Sequence, residues 1–467
     1  MTFSSLSFIF IFFPLTFILY ALCRGDKSRN IVLAAASIIF YAFGEPAAVL
    51  ILLFSVICNY LFGFMVAGKD EKQNRLYFTA AVVINIGLLL CYRYAGALVS
   101  LVQGQDAETP AIRIPLGMAF FTLQGISYVT DVYRRKCRVQ KKLMNVLLYI
   151  SLFPHVIAGP LMRFGDMEEQ LHVRSFSADR VSRGLRRFIF GLGKKVLVAG
   201  QLGIVADRVF SCDTDTLGTF TAWAGALCFT LQIFFDFSGY SDMAIGLGCI
   251  FGFDYGENFD YPYASSSVKD FWRRWHISLS SWFKEYVYIP LGGNRKGALR
   301  TDLNILVVFL LAGMWYGAGV TFIVWALING ILLILENRRI IPVKQKWFRS
   351  FGHIYVPLVA VISFVFFRSA SVEQALGVLG HMITISSGDS IVSSETGALI
   401  TPLHNIVLWI AVILSTPVCR TVEKRCIQRG HENICTASGY IFSAVVYILS
   451  ILVIISGSFS TSVYFRF

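Results

Sequence analysis

Residues 47–67 read AAVLILLFSVICNYLFGFMVA, with no charged side chain along the whole stretch. A helix needs about 20 predominantly apolar residues to cross the hydrocarbon core of a bilayer, so this stretch reads as a membrane span. Further apolar runs lie on either side, at Leu6–Leu22, Ile31–Phe43, Leu76–Cys91, Leu143–Leu161, Phe188–Val205, Phe220–Phe235, Leu303–Ala312, Thr321–Leu335, His353–Phe367, Ile406–Val418 and Tyr440–Ile455. Of the 467 residues, 56% are hydrophobic and only 15% charged, against about 25% charged in a soluble average. A water-soluble fold could not cover that much apolar surface. Soluble enzyme, disulfide scaffold and disordered regulator are excluded. The chain reads as an all-α polytopic membrane protein, a single integral-membrane domain over 1–467. Several runs are short or broken by Gly and Pro. Such breaks are tolerated where protein or a wet cavity covers the freed backbone, so a central cavity is expected. Met1 to Leu22 reads as an uncleaved first span.

A net charge of +13 does not point to nucleic acid here, because the bases sit in short loops between apolar runs. Arg24, Lys27 and Arg29, then Lys69, Lys72 and Arg75, then 134–142, then Lys344, Lys346 and Arg349, and finally Arg420, Lys424, Arg425 and Arg429 form basic loops. The loops between them carry Asp106 and Glu108, Asp213 and Asp215, Asp389 and Glu395. This alternation predicts basic loops in the cytoplasm and both termini outside, with anionic lipids as natural neighbours. The ten cysteines suggest small hydrophobes rather than disulfides or a metal site.

The segment VKDFWRRWHISLSSWFKEYVYIPLGGNRKG, residues 268–297, is too polar to span. Ser267 with Asp270 three residues on resembles a capping box, and a helix is expected over 267–290, ended by Gly292 and Gly293. On that helix Trp272, Trp275, Leu279, Trp282 and Tyr286 share one face, and Arg273, His276, Ser280 and Lys284 another. An interfacial helix with an aromatic belt accounts for the tryptophans. His276 is the best general acid/base candidate, since imidazole titrates near neutral pH, although a structural role is the commoner one for such a residue. His155, in the broken segment FPHVIAGPLMR, is a second imidazole. Asp236 and Asp242 bracket FSGYS between apolar runs, and Asp131 ends another. An ionisable group within a membrane segment suggests function, and pairing with Arg or a backbone amide is the structural alternative. Around Trp315 and Tyr316, Gly313, Gly317 and Gly319 allow either a tight helical hairpin or a narrow passage for a thin ligand.

These blocks, together with IPLGMAFFTLQGISYVTDVYRRK, LQIFFDFSGYSDMAIGLGCIFGFDYGENFDYPY, AGMWYGAG, FVFFRSAS and the terminal VYFRF, resemble the membrane-bound O-acyltransferase family. The resemblance is to its bacterial branch of alginate and peptidoglycan O-acetyltransferases and runs from about residue 112 to the C-terminus, after N-terminal spans in 1–111. It implies a membrane bowl of roughly 11–12 transmembrane helices, with re-entrant and interfacial helices around a tunnel, in a bacterial plasma membrane. It implies transfer of an acetyl group from acetyl-CoA or another cytoplasmic thioester, with no bound cofactor or metal, to an extracytoplasmic polysaccharide, often through an SGNH-hydrolase-like partner. His276 matches the family's WHIS histidine. The family's other site histidine, in Trp-His-Gly, corresponds to Tyr316 within Trp315-Tyr316-Gly317. His276 and Tyr316 are thus the implied catalytic pair, with Trp315, Arg273, Asp236, Asp242, Trp275 and His155 as substrate or tunnel candidates. A phenol titrates near 10 and is a poor base at pH 7, though it can donate to an oxyanion. Arg273, Arg274 or Arg295 could depress it if close. The alternative reading is a weak or inactive relative serving as scaffold or acyl conduit. A transporter with broken helices fits the WHIS and YIPLGGNR blocks less well.

Overall fold

The computed structural model describes residues 1–103, 114–384 and 400–459, apart from the side chains of 95–103. The acidic positions Asp106, Glu108, Asp389 and Glu395, the latter two in a loop (386–397) that the charge alternation expects outside, and the terminal VYFRF lie outside the described residues. Among those described, every regular element is a helix and no strand occurs. Among the described residues eight helices are long and apolar enough to cross a membrane. A ninth span arises if Pro402–Leu414 and Val418–Gln428, bent by 58° at their junction, count as one.

The sequence suggested eleven or twelve spans, and the difference lies in how the shorter runs fold. The run 143–161 gives only the helix Leu143–Ser151, because Pro154 lacks the amide that would continue it. Beyond Ser151 the chain proceeds in buried turns. The first run makes the short apolar helix Phe8–Leu22, whose opening turn is π-helical.

The side chains are arranged inside out relative to a soluble helix. On Ala48–Met65, Leu50, Phe54, Ile57 and Leu61 are exposed, whereas Ser55 and Asn59 are buried. On Glu432–Ser456, Ile441, Val445, Ile448, Leu452 and Ile455 are exposed, and Ser443 and Ser450 are buried. Lipid solvates apolar faces, so helices meet through small and polar residues. Accordingly, Asn59 and Asn85 exchange amide hydrogen bonds of 3.1 and 2.9 Å between two spans. The buried serines return their hydroxyls to carbonyls one turn back, at 2.7 Å.

The chain forms two compact units. The first comprises Met1–Phe188 with Ser241–Gly256. Its core holds a phenylalanine cluster in which the rings of Phe8, Phe12, Phe40 and Phe153 meet at 5.4–6.3 Å. The second comprises Ile189–Tyr240 with Glu257–Phe467. In it the glycine-rich stretch is a tight helical hairpin, joining Ala298–Tyr316 to Val320–Asn337. A Cβ on Gly317 would fall 2.1 Å from the Phe322 ring, so only glycine admits that ring against the turn.

Candidate active site

The second unit builds its candidate site from the 257–297 segment upward. Ser267 caps the helix Val268–Arg274, its Oγ accepting from the Asp270 amide at 3.0 Å. The buried Glu336 carboxylate accepts from the Val268 and Lys269 amides at 2.7 and 3.0 Å. These contacts satisfy amides that a helix start otherwise leaves free.

The expected single helix over 267–290 is broken at the histidine. His276 adopts a left-handed backbone, φ 44° and ψ 56°, before a second short helix, Ile277–Phe283, and a π turn, Lys284–Tyr288. For a residue with a Cβ this conformation costs about 1–2 kcal/mol, so the surroundings must impose it. Asn258 is the principal constraint. Its carbonyl accepts from the Ile277 amide at 2.9 Å. Its side-chain oxygen accepts from the Ser278 amide at 3.1 Å and from the Ser278 hydroxyl at 2.9 Å. The Asp260 amide donates to the Arg274 carbonyl at 3.0 Å on the other side of the break. The break reorients the two halves of the segment, so the two faces assigned along 267–290 do not persist as continuous stripes.

Trp275 is enclosed by Phe259, Phe271 and Phe364 at ring distances of 5.2–5.5 Å. Its indole stands within interaction range of the Tyr316 hydroxyl. Tyr316 ends the hairpin's first helix, and its ring meets Trp315, Trp325 and Phe367 at 5.0–5.3 Å. The fold therefore brings positions 275 and 316 together, and His276 follows Trp275 in the chain with its ring 5.9 Å from that of Phe259. His276 is 4% exposed, and burial holds its imidazole down at about 4. At neutral pH the ring is uncharged and able to accept a proton. The enclosure of Tyr316 is aromatic. Arg273 and Arg274 both direct their guanidiniums to Asp270, at 2.5 and 3.0 Å, and the Arg273 side chain is 76% exposed.

The remaining candidates have partners within their own units. Asp236 pairs with Lys195 in the second unit, both side chains buried. Lys195 lies on the π turn Lys194–Ala199, and Gly239 permits the approach, since a Cβ there would lie 2.7 Å from the Gly191 carbonyl. Asp242 accepts from Arg187 in the first unit at 2.9 and 3.1 Å. His155, also in the first unit, has both ring nitrogens engaged, by the Tyr149 carbonyl at 2.9 Å and the Tyr255 hydroxyl at 3.2 Å. Among the described residues no group of three or more His, Cys, Asp or Glu could hold a metal ion. Reading the sequence missed Asn258, Glu336, Lys195 and Arg187. A lysine pair within an apolar run was a signal for Lys195; nothing local distinguished Asn258.

The family model for membrane-bound O-acyltransferases matches residues 37–373. Over 420 residues the chain is 38% identical to a probable alginate O-acetylase of Pseudomonas syringae pv. tomato, covering 88% of this chain and 80% of that protein. It is 32% identical to a peptidoglycan O-acetyltransferase of Helicobacter pylori, covering 88% and 85%. A teichoic acid D-alanyltransferase of Bacillus subtilis is 27% identical over 50% of this chain and 61% of that protein. With its apolar spans and the 37–373 match, the chain belongs to the membrane-bound O-acyltransferase family and is a multi-pass membrane enzyme of that class.

Proposed function

We propose that this acyltransferase moves an acetyl group from a cytoplasmic thioester, acetyl-CoA in the first instance, to a hydroxyl of an extracytoplasmic polysaccharide, working with an SGNH-hydrolase-like partner. Similarity to proteins named for alginate and peptidoglycan O-acetylation over most of the chain supports the acetyl group and the class of acceptor. The observation that carries the site assignment is the approach of Trp275 to Tyr316 beside the left-handed His276.

In this reading the acceptor oxygen attacks the thioester carbonyl and its proton passes to the neutral His276 imidazole. The resulting oxyanion needs a donor already in place. The Tyr316 hydroxyl carries a hydrogen to give. Collapse of the tetrahedral adduct breaks the C–S bond, and the protonated imidazole returns its proton to the departing sulfur. Position 316 sets the rate: a phenol supplies a hydrogen-bond donor but, at its ordinary pKa, almost no base.

The assay is transfer of labelled acetyl from acetyl-CoA to polymer in membranes that contain the partner. Slow transfer is expected from the present protein and a gain from Tyr316→His, since a positioned general base contributes about 10²–10⁴-fold. If the present protein is fast and Tyr316→His slows it, the phenol has its own catalytic role. If neither form transfers with a proven partner and donor, the aromatic enclosure of Tyr316 favours the second reading, a scaffold or acyl conduit.

A further inference from the structure

A second site lies on the surface of the second unit. Between the start of the helix Val268–Arg274 and the first turns of the span Lys346–Arg368 is a pocket of about 430 Å³, lined among others by Lys269, Arg273, Arg274, Arg349 and His353, with Asp270 as its one carboxylate. That volume falls within the roughly 300–1,000 Å³ of small-molecule sites. Arg273 and Arg274 share Asp270. Lys269 reaches only the Asn337 amide oxygen, at 3.4 Å. Glu336 accepts from the Val268 and Lys269 amides, and its charge also acts on the Lys269 ammonium. Among the described residues Arg349 has no carboxylate partner. The lining thus sets four formal positive charges against the one carboxylate of Asp270, with the Glu336 charge felt by Lys269 from behind.

Its level in the fold narrows the ligand. Arg349 and His353 stand on the first two turns of a membrane-spanning helix, the depth at which lipid phosphates lie. Trp347 beside them is exposed, as are Phe351, Ile354 and Leu358 further along the same helix. An indole at the end of a span marks the headgroup boundary, and the apolar side chains beyond it present a surface for hydrocarbon. Guanidiniums recognise phosphate by paired N–H donation. We propose that this pocket binds the phosphate-bearing headgroup of an anionic phospholipid. The proposal does not depend on the acetyl-transfer reading, although the pocket shares Arg273 with the residues that the resemblance offers as substrate candidates.

The test is a native mass spectrometry titration of the full chain, purified in detergent, with phosphatidylglycerol and phosphatidylcholine of matched acyl chains. One phosphatidylglycerol is expected to be retained in preference to phosphatidylcholine. Each juxtamembrane cation removed should weaken it by roughly fivefold, so Arg349→Gln loses about fivefold and Lys269→Gln with Arg349→Gln about thirtyfold. Arg349 is exposed, so the single variant keeps the test open should the double variant not fold. Inorganic phosphate and glycerol 3-phosphate form the other arm. If either binds alone and displaces the lipid at equal concentration, the site is for a soluble anion and the lipid assignment is wrong. Equal retention of the two lipids, or wild-type binding of phosphatidylglycerol by Arg349→Gln, overturns the proposal outright.

Discussion

Two substitutions at one residue separate the backbone of position 276 from its chemistry. The left-handed conformation, φ 44° and ψ 56°, costs a residue bearing a Cβ about 1–2 kcal/mol, and glycine pays nothing. His276→Ala and His276→Gly both delete the imidazole and leave the same space. Glycine loses about 0.5–1 kcal/mol through the freedom of its unfolded chain. The balance favours His276→Gly over His276→Ala by roughly 0.5–1 kcal/mol. Thermal unfolding of the detergent-purified proteins, followed by tryptophan fluorescence, reads this difference. Both variants should lose acetyl transfer to the same extent, by about 10²–10⁴-fold if His276 is the base; Tyr316→His serves as background if the parent rate is low. An alanine variant as stable as the glycine variant would mean that the left-handed backbone is not maintained. Transfer surviving in either would remove the imidazole from the mechanism.

Asn258, 1% exposed, holds the same turn. Asn258→Leu removes the acceptor for two Ser278 donors and should destabilise by about 1–3 kcal/mol while reducing transfer, both measurable on the same preparations. The buried imidazole also predicts a pH dependence. An unfolded chain protonates His276 below about 6.5 but the fold resists until about 4, so stability present above pH 6.5 is lost as pH falls towards 4. The full effect is about 3 kcal/mol, and His276→Gln should flatten that part of a stability–pH curve. Lys195→Met strands the buried Asp236 carboxylate and should cost about 3–5 kcal/mol, most of which Lys195→Met with Asp236→Leu recovers; thermal unfolding of single and double variants distinguishes the two. A cysteine introduced at 139, within the basic 134–142 loop, should be labelled in cells only after permeabilisation, and labelling of intact cells would reverse the orientation.

Features that depend on neighbours in the chain were legible from residues alone. The uncharged stretch 47–67 identifies a membrane protein because no soluble packing could hide it. The Ser267 cap follows from a side chain three residues from the amide it accepts. Gly313, Gly317 and Gly319 left a hairpin or a passage open, and the seat of the Phe322 ring decided for the hairpin. Tertiary structure alone decided the rest. The heptad-like spacing of Trp275, Leu279, Trp282 and Tyr286 described a continuous helix, but Asn258, far back along the chain, bonds across position 276 and turns it left-handed. Trp275 comes within reach of Tyr316 only once the hairpin has packed, and Asp236 meets Lys195 only where a π turn and Gly239 bring two helices close. Periodicity records which face a residue occupies. It carries no record of which distant group will desolvate it, accept its hydrogen or hold its backbone in a strained state, because those energies exist only once the helices have packed.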